Sequence, residues 1–367
     1  MVKIKILHVI DHMGLGGAQT IVNQLLDRWS SDNIQLLCFS LRRSNNFSSY
    51  NESLFVSSNY ESKYNLSSFL ELKNFIIKND IKILHLHLPK SVLFGVLIKI
   101  LYFENIRIIV HEHGDIFQNK LLYNLFLRQF QNKIDLFIAV SGATRKKLIK
   151  KAGIDENKIK VLYNFIDQNY FNNNELSNYS KVAERQFINL TSDDFVIGFA
   201  GRLNKIKGCD ILIKSMSHID IRGLKIVIAG DGIERKNLEE LSENLNIRDN
   251  IIFLGYIKNI RGFYKIIDVL VVSSRSESFG LSIVEAQSMG IPVIATNIEG
   301  LNEIVLDKET GLLFKSGDEE DLAKKIELIY TDENLRTELT KKGLENIKKY
   351  SLKNYITNLE GIYNGLF

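Results

Sequence analysis

Apolar residues in the first half of the chain come in short β-rich runs separated by segments of helical length. KIKILHVI, NIQLLCFS, KILHLHL, IRIIVHEH and DLFIAVS are the strand candidates. Strands alternating with helices argue for a parallel sheet covered on both faces. From about residue 167 to 192 the pattern dissolves into a polar, Asn-rich stretch, read as a linker that contains a helix. A second series then begins with FVIGFAG, LKIVIAG, IIFLG, DVLVVSS, PVIAT and GLLF, again with helical patterns between the runs. The chain closes with helices at roughly 318–349 and 351–365. Two successive series predict an α/β protein of two Rossmann-like domains facing across a cleft, with ligands at the carboxyl ends of the strands. The expected division is 1–170, a linker at 171–192, and 193–350.

Composition narrows the class. A length of 367 residues fits two domains, and 45% hydrophobic with 25% charged residues describes a folded chain. The two cysteines, Cys38 and Cys209, lie far apart and suggest neither a disulfide framework nor a cysteine metal site, so a cytoplasmic location is expected. The N-terminal apolar run stops at Asp11, too early for a signal peptide, and SVLFGVLIKILYF (residues 91–103) is interrupted by Lys99 and too short to span a bilayer. Net charge is +4, yet between Lys99 and Lys151 ten Lys or Arg face four acids. That excess predicts a basic face toward a membrane surface or an anionic substrate. No recognition motif surrounds it, which argues against nucleic acid.

Three segments carry candidate chemistry. GLGGAQT (14–20) resembles a dinucleotide fingerprint at Gly14 and Gly16, but the third glycine position is Gln19 and the next strand ends in basic residues. NAD is therefore not expected. The loop still presents main-chain N–H groups to an anion or sugar, or is simply a tight turn. In GFAGRLNKIKGCDILIKS (198–215), Arg202 and Lys207 stand between glycines at a helix start, a diphosphate site by charge and macrodipole. In SSRSESFGLSIVEAQSMG (273–290), Glu277 lies in a loop and Glu285 inside the helix that Gly280 and Leu281 begin. Both acids are acceptors for sugar hydroxyls, though either alone would also serve as a cap or surface charge.

GRLNKIKG, then ESFGLSIVE as E-x7-E, then AQSMGIPVIATNIEGLNEIV closely resemble the retaining GT-B glycosyltransferases of glycosyltransferase family 4. The likeness extends to VSGATRKKLIKKAGIDENKIKVLYNFID, IAGDGIERKNLEEL and the GLGGAQ loop, nearly the whole chain. It implies the GT-B fold, with the C-terminal helix (about 351–367) packing back on the first domain. Arg202 and Lys207 would clamp the donor diphosphate, and Glu285 would bind the ribose hydroxyls. Glu277 would contact the transferred sugar. Phe279, Gly280 and Leu281 would bring main chain to sugar and phosphate, and Gly16 and Gly17 would approach the donor from the other domain. Of the two histidines in IIVHEHGD, His113 matches the residue that reaches the reacting sugar better, with His111 as fallback. The family generally needs no bound metal. The same-face spacing of His111 and His113, echoed by His85 and His87, would suit a metal site, but on buried strand ends such pairs read as hydrogen-bonded core residues, and no cofactor is expected beyond the nucleotide sugar.

The implied reaction is transfer of a hexose or N-acetylhexosamine, from UDP in preference to GDP, to a glycan or lipid-linked acceptor of cell-surface polysaccharide. Retention by front-face attack is expected, with Glu277 as nucleophile the other route. QNKLLYNLFLRQFQNK (118–133) has no acid, and with RKKLIKK (145–151) it suggests a peripheral enzyme at the inner membrane face. Competing readings are a sugar phosphorylase, a nucleotide-sugar epimerase, or a non-catalytic nucleotide-sugar-binding partner. Retention of Arg202, Lys207, Glu277 and Glu285 argues against the last.

Overall fold

The computed structural model describes residues 3–14, 16–43, 54–62, 65–114, 121–172 and 181–366. Residues 173–180 of the expected linker and 118–120 of the expected basic region lie outside the described residues. The chain divides into two compact units, Met1–Asn164 with Lys353–Phe367, and Phe165–Leu352.

In the first unit the strands are β1 (Ile4–Ile10), β2 (Ile34–Ser40), β3 (Phe55–Ser57), β4 (Ile83–His87), β5 (Arg107–Glu112), β6 (Leu136–Ala139) and β7 (Ile159–Val161). All pair in parallel, in the order β3-β2-β1-β4-β5-β6-β7. Five follow the apolar runs. The three-residue edges β3 and β7 were not expected, because so few residues give no run to read. The helices are α1 (Gly17–Arg28), α2 (Ser67–Asn79), α3 (Pro89–Leu101), α4 (Leu121–Phe130) and α5 (Gly142–Lys147). The run at 91–103 forms α3, and no described helix is long and apolar enough to cross a membrane. Side chains alternate across a strand, so one sheet face carries Leu7, Val9, Leu84, Leu86, Ile108 and Val110 in the apolar core. The other carries His8, His85, His87 and His111. Two of the ten cations counted in the basic segment are committed here. Lys99 and Arg107 both bond the Asp135 carboxylate at 2.8 Å. Although burial pushes that carboxyl up, Lys99, the Ile108 amide and Arg107 together hold it below the usual carboxylate range.

The second unit repeats the plan. Its strands are β8 (Phe195–Ala200), β9 (Leu224–Ala229), β10 (Ile251–Gly255), β11 (Val269–Val272), β12 (Val293–Thr296) and β13 (Leu312–Phe314), in the order β10-β9-β8-β11-β12-β13. All its neighbours are parallel. The helices are α6 (Lys181–Phe187), α7 (Cys209–Ser215), α8 (Arg235–Asn244), α9 (Ile260–Ile266), α10 (Leu281–Ser288), α11 (Glu319–Thr331) and α12 (Glu333–Asn346). The stretch expected as one helix, 318–349, breaks at Asp332. The Asp332 side chain caps α12 by accepting from the Leu335 amide at 2.9 Å. A 3₁₀ turn, Ile347–Tyr350, then leads to α13 (Leu352–Asn364), which from Lys353 on packs with the first unit.

Both sheets have the doubly wound order, in which β1 and β4, and again β8 and β11, flank the point where winding reverses. Ahead of β11, Asp268 accepts from Arg185 (2.6 Å), Lys181 (2.8 Å) and the Val196 amide (2.8 Å), which ties α6 to the sheet. Arg185 is buried and also donates to the carbonyls of Ile266 and Asp194. Asp268→Asn leaves that guanidinium without its counter-charge and is expected to cost about 3 kcal/mol. Urea unfolding followed by circular dichroism checks this, and an unchanged midpoint would refute it.

Candidate active site

The reversal point of the second unit carries the expected phosphate and acid segments. After β8, Leu203 is buried and its amide bonds the Asp231 carbonyl at 2.9 Å, which fixes the loop and leaves Arg202 exposed. Asn204 caps the 3₁₀ turn Lys205–Lys207 by accepting from the Lys207 amide at 3.0 Å. After β11, the Ser273 hydroxyl donates to the Gly208 carbonyl at 2.8 Å, and the Arg275 amide donates to the Ile206 carbonyl at 2.7 Å. The Arg275 guanidinium grips Asp210 with two bonds of 2.7 Å and reaches the Lys205 carbonyl at 2.8 Å. That bond to Asp210 raises the Arg275 pKa. Burial pushes the Asp210 carboxyl up, but the Arg275 bonds bring it below the ordinary range. Arg275 is thus spent on joining the two loops, a role absent from the expectations above. The join lets Lys207 Nζ donate to the Glu277 carboxylate, so the expected diphosphate cation and sugar-binding acid are directly paired.

Beyond Glu277 the loop turns inward. Phe279 is 2% exposed, its ring edge-on to Tyr350 at 5.4 Å, so its side chain anchors the turn. Gly280 has φ 83°, a left-handed conformation suited to glycine, and starts α10, where Leu281 is half-buried. Glu285 is half-buried in α10, and its Oε2 accepts from the hydroxyl of fully buried Tyr264 at 2.7 Å. Burial raises the Glu285 pKa, which the Tyr264 bond partly offsets. Tyr264 was not foreseen: it lies 21 residues away in a helix with no motif around it.

The remaining candidates belong to the first unit. Gly16 is extended and its carbonyl accepts from the Thr20 amide at 3.0 Å. Gly17 is exposed and opens α1, and Leu15, between Gly14 and Gly16, lies outside the described residues. His113 follows β5 and stacks on His111 at 4.1 Å. Its Nε2 is 2.7 Å from His87 Nδ1, and His87 Nε2 is 2.9 Å from His8 Nδ1. His8 Nε2 is 3.0 Å from the Tyr363 hydroxyl, which is 2.7 Å from His85 Nδ1. His85 Nε2 is 3.1 Å from His111 Nδ1. Burial is the chief cause that lowers every ring's pKa, to about 3 for His8 and His113, so all five are neutral at physiological pH. Two triads, His8/His85/His87 and His87/His111/His113, offer nitrogens within 4.8 Å of one another, a spacing a metal ion could use. Both nitrogens of His8, His85 and His87 are already engaged in the hydrogen bonds above, so a metal would have to break one.

Gly208 has φ 65°, and a Cβ on it would stand 2.0 Å from the Ser273 carbonyl oxygen. Gly208→Ala must therefore push the two loops apart and separate Lys207 from Glu277. At least about tenfold weaker binding of a nucleoside diphosphate is expected. Calorimetric titration checks this, and wild-type affinity would refute it.

The family model for Glycosyltransferase Family 4 matches residues 15–170, and that for Glycosyl transferases group 1 matches residues 180–346. The capsular polysaccharide biosynthesis glycosyltransferase CapM of Staphylococcus aureus is 31% identical over 252 residues, 66% of this chain and 66% of CapM. The lipopolysaccharide core biosynthesis glycosyltransferase LpsE of Rhizobium meliloti is 34% identical over 165 residues, 45% of this chain and 48% of LpsE. The chain thus spans about half to two thirds of these relatives. A glycosyltransferase from Rickettsia africae ESF-5 superposes with a TM-score of 0.86 at 21% identity, covering 99% of this chain and 98% of that one. Anabaena Alr3699/HepE, solved in complex with UDP and glucose, superposes with a TM-score of 0.86 at 20% identity, covering 99% and 100%. The fold is that of the GT-B structures. The chain belongs to the glycosyltransferases, with a family 4 domain followed by a group 1 domain.

Proposed function

We propose that the protein transfers a hexosyl or N-acetylhexosaminyl group from a UDP-sugar to a glycan or lipid-linked acceptor of cell-surface polysaccharide, with retention and without a metal. The observation that carries this reading is the pairing of Lys207 with Glu277 at the reversal point. Cleaving the sugar–nucleotide bond builds negative charge on the diphosphate and positive charge on the sugar. Arg202 and Lys207 stabilise the first. When the diphosphate draws Lys207 away, the Glu277 carboxylate is left to accept from sugar hydroxyls, so donor binding itself readies the acid. Glu285, half-buried and held by Tyr264, accepts from the ribose hydroxyls. Phe279, Gly280 and Leu281 supply the turn beside the phosphates, Gly16 and Gly17 offer main-chain groups, and His113 meets the sugar. In front-face attack a departing phosphate oxygen takes the acceptor hydroxyl's proton as the new glycosidic bond forms. UDP is favoured over GDP because the Anabaena structure holds UDP and glucose. The capsular and lipopolysaccharide roles in the names of CapM and LpsE support the acceptor class.

Glu285→Ala is expected to raise the donor KM about tenfold or more with little change in kcat, whereas Glu277→Ala lowers kcat about a hundredfold. A panel of UDP- and GDP-sugars with NMR of the product reads both the donor and the stereochemistry. An inverted linkage sinks retention, and an intact kcat in Glu277→Ala sinks the role given to that acid.

Membrane attachment belongs to the same proposal. On α4, Leu121, Leu122 and Leu125 are 71%, 83% and 50% exposed, and Lys146, Lys150 and Lys151 are exposed on the segment after β6. Apolar side chains beside cations suit the surface of an anionic bilayer. Sedimentation with phosphatidylserine-containing vesicles is expected to carry the protein down at low salt and lose it when Lys146, Lys147, Lys150 and Lys151 are changed to Glu. Equal sedimentation of both proteins would overturn this.

A further inference from the structure

Five histidines of the first unit form one unbranched chain: His113, His87, His8, the Tyr363 hydroxyl, His85, His111. Its polarity is uniform. Each ring-to-ring bond joins an Nδ1 to an Nε2, and the phenol likewise joins His8 Nε2 to His85 Nδ1. The two ends, His111 Nε2 and His113 Nδ1, are buried and have no hydrogen-bond partner among the described residues.

Proton counting restricts what this chain can be. Five neutral imidazoles and one phenol hold six mobile protons, and the chain has five bonds, each needing one proton. The sixth sits on one end. If it is on His113 Nδ1, every ring must carry its proton on Nδ1, and His111 Nε2 is a bare acceptor. If it is on His111 Nε2, every ring carries its proton on Nε2, and His113 Nδ1 is the bare acceptor. Any other arrangement leaves a buried proton or lone pair without a partner at some bond, which the core penalises. The ends therefore always differ, one a donor and the other an acceptor.

We infer that the five histidines share one tautomer and switch together, and that Tyr363 is the positioning residue that couples them, deciding whether His113 offers a proton or a lone pair to a hydroxyl-bearing ligand. The phenol can do this because its single proton and two lone pairs let it accept from one side while donating to the other. Without the hydroxyl the chain falls into His113–His87–His8 and His85–His111, and each part takes either tautomer independently. The hydroxyl in question belongs to the donor sugar, a step that rests on the role proposed above for His113. The common tautomer does not rest on it.

The first experiment reads the rings of the ¹⁵N-labelled full-length protein by long-range ¹H–¹⁵N correlation at neutral pH. His8, His85, His87, His111 and His113 are expected to show a single tautomer ratio. Different ratios among the five would overturn the inference. In Tyr363→Phe the two fragments are expected to take different ratios, with kcat for sugar transfer falling about tenfold and the far-UV spectrum unchanged. A single shared ratio in this variant, or unaltered kcat, would overturn the coupling role. Should that variant not fold, His8→Leu, which can neither donate nor accept, breaks the same chain at His8 and is read by the same two criteria. His113→Ala separates the two claims. If it transfers sugar normally, the role of His113 falls while a common tautomer stands. If it is inactive and the wild-type ratios differ, the inference alone falls.

Discussion

Between β8 and β11 the winding of the sheet reverses, so the chain leaves these neighbouring strands toward opposite faces and their loops share the gap at the strand ends. Parallel pairing forces this: every strand delivers its loop to the same edge, and only at the reversal do two loops come together without a helix crossing between them. Into that gap the sequence places a glycine with φ 65°, whose missing side chain lets the main chain rest on the Ser273 carbonyl. The bonds from Arg275 to Asp210 and to two carbonyls, and the contact of Lys207 with Glu277, follow from that approach.

The two units treat charge in opposite ways. In the second, cations are set directly against carboxylates at a partly exposed site, Lys207 on Glu277 and Arg275 on Asp210. In the first, five titratable rings are buried so completely that burial holds them neutral, and their polarity is satisfied by one another and by a phenol. A buried cluster of that size is tolerable only because neutral imidazoles donate at one nitrogen and accept at the other. Lysines or carboxylates in the same positions would have needed counter-charges.

Much of the fold was legible because buried parallel strands leave long apolar runs, and a five- to seven-residue run such as IKILHVI is hard to mistake. β3 and β7 were not legible, since three residues at a sheet edge are specified by their neighbours and not by their own pattern. Within the site, Arg202, Lys207, Glu277 and Glu285 could be singled out because glycines and helix starts surround them. What holds them could not. Tyr264 reaches Glu285 across 21 residues and Arg275 reaches Asp210 across 65, and neither partner carries a local signal. The histidines showed in sequence only as two pairs two residues apart. That His8 joins them, and that Tyr363 closes the chain from 278 residues beyond His85, depends on strand register and on where α13 packs.

That last contact bears on the order of events during synthesis. Residues 353–366 leave the ribosome after the entire second unit, yet Tyr363 is fully buried against β1 and β4, and Glu360 bonds Ser31 at 2.5 Å. The unit made first therefore waits without Tyr363 beside its histidines while nearly two hundred residues are translated, and completes its core only when α13 arrives. The second unit, continuous in sequence, has no such wait. The unit that emerges first thus cannot be completed until every residue of the second has been made.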